Sequence, residues 1–106
     1  MYILVLITAS DKEEAEAIAR ALVEKRLAAC VNIIADVGSL FWWQGKVDRA
    51  REALCIVKSK KEKFPVLQKL VRSLHSYDVP EIIALPLVAG AKNYLDWIDE
   101  SLARPA

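Results

Sequence analysis

Histidine occurs once in this chain of 106 residues, cysteine twice, glycine three times and proline four times. A lone histidine and no glycine-rich loop leave no Ser-His-Asp or Cys-His arrangement to propose, so an enzyme is not expected. Cys30 and Cys55 lie inside apolar runs rather than at the spacings of a disulfide framework, which points to a reduced, cytoplasmic protein. No run approaches the ~18 uninterrupted apolar residues of a membrane span. The amino terminus enters a strand at once, without the basic segment, apolar stretch and cleavage site of a secretory signal. Charge of one sign is also missing: fifteen basic and fourteen acidic residues leave +1. Neither nucleic acid nor an anionic membrane is therefore an expected partner.

What is abundant is apolar surface. Apolar residues make up 55% of the chain, and the mean hydropathy is +0.22, high for one small domain spanning residues 1–106. Tyr2-Ile3-Leu4-Val5-Leu6-Ile7 and Ala53-Leu54-Cys55-Ile56-Val57 carry apolar side chains at odd and even positions alike. Successive strand residues point to opposite faces, so both faces of these strands need cover.

The first strand, Tyr2 to Thr8, is followed by a helix with Ser10 and Glu13 at capping-box spacing and an apolar stripe of Ala15, Ile18, Ala19, Leu22 and Val23. A second strand runs from Cys30 to Val37, and Gly38-Ser39 is the expected bend or bulge before Leu40-Phe41-Trp42-Trp43 continues extended. Gln44-Gly45 reads as a two-residue hairpin tip into a third strand ending near Lys58. That register sets Cys55 across from Ile34, not Cys30, against a disulfide. A first turn near Lys60 leads to a main helix from Pro65, with Phe64, Leu67, Leu70, Val71 and Leu74 on its apolar side and an end at His75-Ser76. Glu81 to Leu85 form a fourth strand, which Pro86 confines to a sheet edge or a bulge. Asn93 is the expected cap of a last helix bearing Tyr94, Leu95, Ile98 and Leu102.

The order is β-α-β-β-α-β plus a terminal helix, an α+β ferredoxin-like split motif with an antiparallel sheet. That topology puts the first and third strands in the middle, and these are the two-sided ones. Two helices cover one face, and the other is left for a partner, most simply another copy of the chain. Covering ~800 Å² per subunit carries a gross hydrophobic term on the order of 20 kcal/mol, from which association costs subtract.

Several functions of this fold lack their residues. The first loop, Thr8-Ala9-Ser10-Asp11, has no Cys-x-x-Cys grip for a soft metal. Glu52 to Ile56 offers no aromatic stacking platform for RNA. No arginine cradle for phosphate follows the first strand. Trp42 and Trp43 are adjacent in a strand, so one ring can enter the chain's own core while the other needs cover from elsewhere, by subunit packing with Phe41 or by a ligand. His75 sits at a helix end with Tyr77, Asp78 and Glu81 nearby, and two readings stand. One is a structural histidine at the negative end of the helix dipole. The other is a divalent transition-ion contact of His75 with Asp78 and Glu81, completed by a neighbouring subunit. The run Lys58 to Lys63 reads as a solvated helix entry or as a rim attractive to anions.

These residues resemble the CutA family of small divalent-cation tolerance proteins from about Leu4 to Leu102. The likeness lies in Leu22 to Asn32, Ser39 to Val47, Glu52 to Lys58, and His75-Ser76-Tyr77-Asp78-Val79-Pro80-Glu81-Ile82, with Tyr94 and Trp97 beyond. The resemblance implies a ferredoxin-like homotrimer packed about a threefold axis, a cytoplasmic location, and an association with tolerance to copper and other divalent cations. It implies no organic cofactor. The chain departs from the family's pattern at Ser76, Phe41 and Ser10, where proline, tyrosine and proline are usual. Ile7 and Leu74 stand where copper-linked members carry a cysteine and a second histidine, so only His75 carries over as a ligand. The expected function is a non-enzymatic homotrimer that binds divalent ions at subunit boundaries. The alternative is a sensor similar to the trimeric PII signalling proteins, holding a small molecule or anion near Lys58, Lys60, Tyr77 and Trp42 or Trp43.

Overall fold

Alternate residues of the first strand meet different surroundings. Ile3, Val5, Ile7 and Ala9 are buried, while Tyr2, Leu4, Leu6 and Thr8 are only half covered. The computed structural model describes residues 1–103. Its elements follow as β1 (Tyr2–Ala9), α1 (Lys12–Glu24), β2 (Cys30–Trp43), β3 (Lys46–Lys60), a 3-10 turn (Lys61–Lys63), α2 (Phe64–Leu74), β4 (Ile82–Pro86) and α3 (Lys92–Ala103). The strands lie in the order β2-β3-β1-β4, all neighbours antiparallel. The two-sided strands are therefore central, as the expected α+β topology requires, and the proline-bearing strand is an edge.

Helices α1 and α2 cover one face. Ala15, Ile18 and Leu22 of α1 and Leu67 and Val71 of α2 pack on Ile3, Val5, Ile7, Ala53, Cys55 and Val57. Only one stripe of each helix is apolar, so each can serve one sheet face and no more. The opposite face is covered at one end by α3, where Ile98 and Leu102 pack with Ala29, Tyr2 and Leu95. Elsewhere that face is open, and Ile34, Ile83 and Leu85 remain exposed.

Local details differ from the sequence expectations in instructive ways. Asp11, not Ser10, caps α1: its Oδ1 accepts the Glu14 amide at 2.8 Å, while Glu14 Oε1 accepts the Ser10 amide at 2.9 Å. The reciprocal box is thus offset by one residue, and the charged cap also favours the positive end of the helix dipole. Asn93 lies inside α3, because Lys92 already begins it and the Leu95 amide bonds the Ala91 carbonyl. Arg26 takes a left-handed φ of 58° to end α1, and its Nη1 donates to the Ser101 carbonyl at 3.2 Å. The carbonyl end of α3 thereby gains a cationic partner.

The β-bulge falls between Ile34 and Val37, not at Gly38, so that Ala35 and Asp36 together face Ala53. The extra residue shifts the pairing by one and sets Cys55 across from Ile33 rather than Ile34. Cys30 pairs with Lys58, and both thiols are free. Gln44 and Gly45, at φ of 50° and 80°, turn the hairpin with Trp43 opposite Lys46. Two positive φ values suit the right-handed twist of the strands they join. Beyond the bulge the hairpin is an exposed arm: Leu40 is 70%, Trp42 75% and Trp43 50% exposed. Neither tryptophan enters the chain's own core, since the arm runs past both covering helices.

Candidate functional site

The chemistry-bearing residues gather where β1 ends, α1 begins and α2 stops. Helix α2 ends at His75, whose backbone turns extended and whose amide still bonds the Val71 carbonyl at 2.9 Å. That turn carries the imidazole under the start of α1, where its side chain is fully shielded. Nε2 lies 2.6 Å from the Thr8 carbonyl, and Nδ1 accepts the Tyr77 amide at 3.0 Å. Glu14 stands beside the ring, its Oε1 3.8 Å from Nδ1. Its other oxygen accepts the Ser76 amide at 2.9 Å. Burial pushes the Glu14 carboxyl up, but hydrogen bonds from Ser10 and Ser76 outweigh it and hold the group below its ordinary value.

Tyr77 completes the cluster. Its ring sits 4.8 Å from that of His75, and its hydroxyl donates to Glu52 Oε2 at 2.8 Å. Burial, then the hydrogen bond to that carboxylate, raises the phenol to about 12. Glu52 itself is buried at the start of the packed part of β3.

This arrangement does not supply a metal centre within one chain. Both nitrogens of His75 are occupied by backbone partners, and a ligating imidazole must leave one free. Asp78 and Glu81 are exposed on the loop into β4. Among the described residues, no group of three His, Cys, Asp or Glu side chains is placed to hold an ion.

Nor does one chain assemble the proposed anion cleft. Lys60 is paired with Asp99 at 2.9 Å and lies opposite Tyr2, whereas Tyr77 bonds Glu52 near the Thr8 end of the sheet. Six residues of strand, about 20 Å, separate those ends. Lys58 is half-buried opposite Leu4 on the open face. Trp42, Trp43 and Phe41 lie on the arm, farther out than Glu52. An open groove of about 380 Å³ between α2 and β4 has Ile3, Phe64, Pro65 and Leu85 among its walls. Such walls suit an apolar side chain rather than an ion.

Sequence reasoning singled out His75 and Tyr77 but not Glu14 or Glu52, their partners. Asp11 and Glu14 have the same three-residue spacing as Ser10 and Glu13, which was the available signal for Glu14. The charge at Glu52 in an otherwise apolar strand was the signal for the other.

The family profile described as CutA1 divalent ion tolerance protein matches residues 3–101. A divalent-cation tolerance protein CutA from Archaeoglobus fulgidus is 49% identical over 102 residues, covering 96% of this chain and 99% of its own length. One of the same description from Thermus thermophilus is 50% identical over 98 residues, covering 92% and 95%. The solved Archaeoglobus fulgidus structure, described as a periplasmic divalent cation tolerance protein, superposes with a TM-score of 0.94 over 96% of this chain and 99% of that one. The Thermus thermophilus structure gives 0.93 at 50% identity, over 95% and 98% of the two chains.

Proposed function

The chain belongs to the CutA1 divalent ion tolerance family, and from that premise we propose that it acts as a homotrimer which meets divalent ions, copper among them, at the boundaries between subunits and without catalysis. The observation that carries this reading is the uncovered apolar surface. Leu40, Trp42 and Val47 on the arm, and Ile34, Ile83 and Leu85 on the open sheet face, are all exposed in the single chain. Apolar exposure on that scale, in a chain with an otherwise complete core, marks a surface that another protein covers. A second and third copy are the occupants the family resemblance implies.

The site geometry supports the reading of ion contact at the boundaries. Asp78 and Glu81 are exposed carboxylates on the loop next to the β4 edge, too few for a complete set in one chain. Carboxylates brought from two subunits raise the ligand number without asking His75 to give up its backbone partners. Two free thiols, one of them buried, fit a reducing compartment and support a cytoplasmic setting.

Sedimentation equilibrium at micromolar protein tests the assembly: three chain masses are expected, and a stable folded monomer defeats it. Calorimetric titration of the assembled protein with copper tests the ion contact. The Asp78→Asn/Glu81→Gln double variant is expected to lose most of the binding heat, and heats equal to those of the unaltered protein would remove these carboxylates from the account.

A further inference from the structure

The β2-β3 arm is joined to the rest of the chain by very little. Strand β1 ends at Ala9, opposite Ala53, so Glu52 is the first residue of β3 past the end of β1. It faces Val37, directly beyond the bulge at Ala35 and Asp36. Among the described residues, one side-chain hydrogen bond links the arm to anything outside its own two strands: the Tyr77 hydroxyl donates to Glu52 Oε2 at 2.8 Å. The Arg51–Asp36 pair closes within the hairpin itself.

Glu52 is only 8% exposed, and Tyr77 is its one hydrogen-bond donor among the described residues. A buried carboxylate stripped of its donor must reach water, and from a strand it does so by carrying the backbone with it. The arm's face towards this bond is the sheltered one. Val37, Ser39 and Ala50 share it with Glu52 and are half-buried, while Gly38, Leu40 and Arg49 on the other face are exposed.

The far end of the bond is fixed as well. The Tyr77 amide donates to His75 Nδ1 at 3.0 Å, and the Ser76 amide before it donates to Glu14 Oε2 at 2.9 Å. From Tyr77 the loop runs into edge strand β4, whose outer side has no partner within the chain. Burial and the neighbouring carboxylate raise the phenol to about 12, so it remains a donor throughout the neutral range.

We propose that the Tyr77–Glu52 bond is a tie that makes the arm and the β4 edge move as one unit, so that a neighbouring copy seated on either surface steadies the other. Tyr77 acts as a positioning residue. The consequence for assembly rests on the homotrimer reading above. A chain whose arm is held offers the next copy a β4 edge already ordered, and linkage makes the effect equal in the other direction. Assembly then runs from single chains to three without a populated pair.

Amide exchange on the full-length protein reads the tie. Tyr77→Phe keeps the ring and removes the donor, so exchange of segments 37–51 and 76–86 is expected to quicken together, by at least about tenfold, while Val5 in β1 holds. Glu52→Gln keeps an acceptor for the hydroxyl, and both segments are expected to stay within about threefold of the unaltered protein. Sedimentation velocity over a dilution series is expected to show two-chain species for Tyr77→Phe and none for the unaltered protein. Quickening confined to segment 76–86, no change in either segment, or an effect of Glu52→Gln equal to that of Tyr77→Phe would overturn the tie. Equal two-chain populations in both proteins would overturn its consequence for assembly. An unaltered protein that stays a single chain at every concentration would defeat the homotrimer reading, and exchange in that single chain would still judge the tie.

Discussion

The Tyr2 hydroxyl donates to Asp99 Oδ2 at 2.6 Å, tying the first strand to the last helix. Lys60 reaches the other oxygen of the same carboxylate at 2.9 Å and lies 5.7 Å from the centre of the Tyr2 ring. Helix α3 also docks through Ile98, Leu102 and Leu95 and through the Arg26–Ser101 bond, and this trio adds the polar tie that fixes it to β1 and β3. Tyr2→Phe keeps the ring and removes the donor. Its expected effect is faster amide exchange across α3 with β1 and β3 unchanged, and equal exchange in both proteins would show the bond to be dispensable.

Acid should loosen the same helix. Hydrogen bonds from Tyr2 and then Lys60 hold Asp99 below its ordinary value of 3.8, and hydrogen bonds from Ser10 and Ser76 hold Glu14 below 4.5 against the upward push of burial. A carboxylate depressed in the folded state favours folding above its unfolded pKa, and that contribution is lost as pH falls through the folded one. Melting temperature is therefore expected to drop from about pH 5 downward. The Glu14→Gln/Asp99→Asn variant should start lower at neutral pH and decline less steeply. A parallel decline in both proteins would assign the acid sensitivity to other groups.

Among the described residues, Ser59 is the one fully buried hydroxyl on the helix-covered face, and its Oγ donates to the Leu27 carbonyl at 2.7 Å. Ser59→Ala removes the donor and leaves that carbonyl unpaired just past α1. A loss of about 1–3 kcal/mol in denaturant unfolding is expected, with an unchanged m-value. A midpoint indistinguishable from that of the unaltered protein would mean the carbonyl finds another partner.

Much of this architecture was legible because burial leaves a periodic trace. Two-sided apolar runs marked β1 and β3 as central, and Pro86 marked β4 as an edge. Gln44-Gly45 gave the hairpin tip for the same reason, since few residues tolerate the turn it makes. What resisted reading was whatever depends on one residue of offset. Asp11 outcompeted Ser10 as a cap, Lys92 opened α3 ahead of Asn93, and the bulge chose Ala35 and Asp36 over the more flexible Gly38. In each case neighbouring residues satisfy the local rule about equally, and tertiary packing selects between them. The site suffered differently. His75 was visible as the lone histidine, but its backbone partners, Thr8 and Tyr77, come from a chain reversal that no side-chain spacing encodes.

Cys55 should be chemically silent. Burial beneath α1 raises its thiol to about 11, and its Sγ faces the Ala15 carbonyl at 3.7 Å. Because the thiolate is the nucleophile, both access and ionisation are withheld. Alkylation of the native protein at about pH 8, followed by mass spectrometry of its peptides, is expected to leave Cys55 unmodified until denaturant is added. Modification of Cys55 at the rate of a free thiol would show that the α1 face opens readily.

The arm makes the sharpest case for assembly. Leu40 and Trp42 lie on one face of the hairpin, across from Arg49 and Val47 respectively, and none of the four is buried by the rest of the chain. A two-stranded arm has no second layer of its own, so these side chains gain cover only from another molecule. Covering a leucine or a tryptophan there is worth about 1.5–3 kcal/mol each. Replacing both with a charge adds the cost of desolvating the new carboxylates. Leu40→Glu/Trp42→Glu is therefore expected to weaken subunit association by at least about a hundredfold while leaving the circular dichroism of the fold intact. The core lies elsewhere, around Val5, Ile18 and Leu67, and does not depend on the arm. Sedimentation velocity over a dilution series measures the shift. A double variant that holds together at the same concentrations as the unaltered protein would show that the copies meet through some other surface.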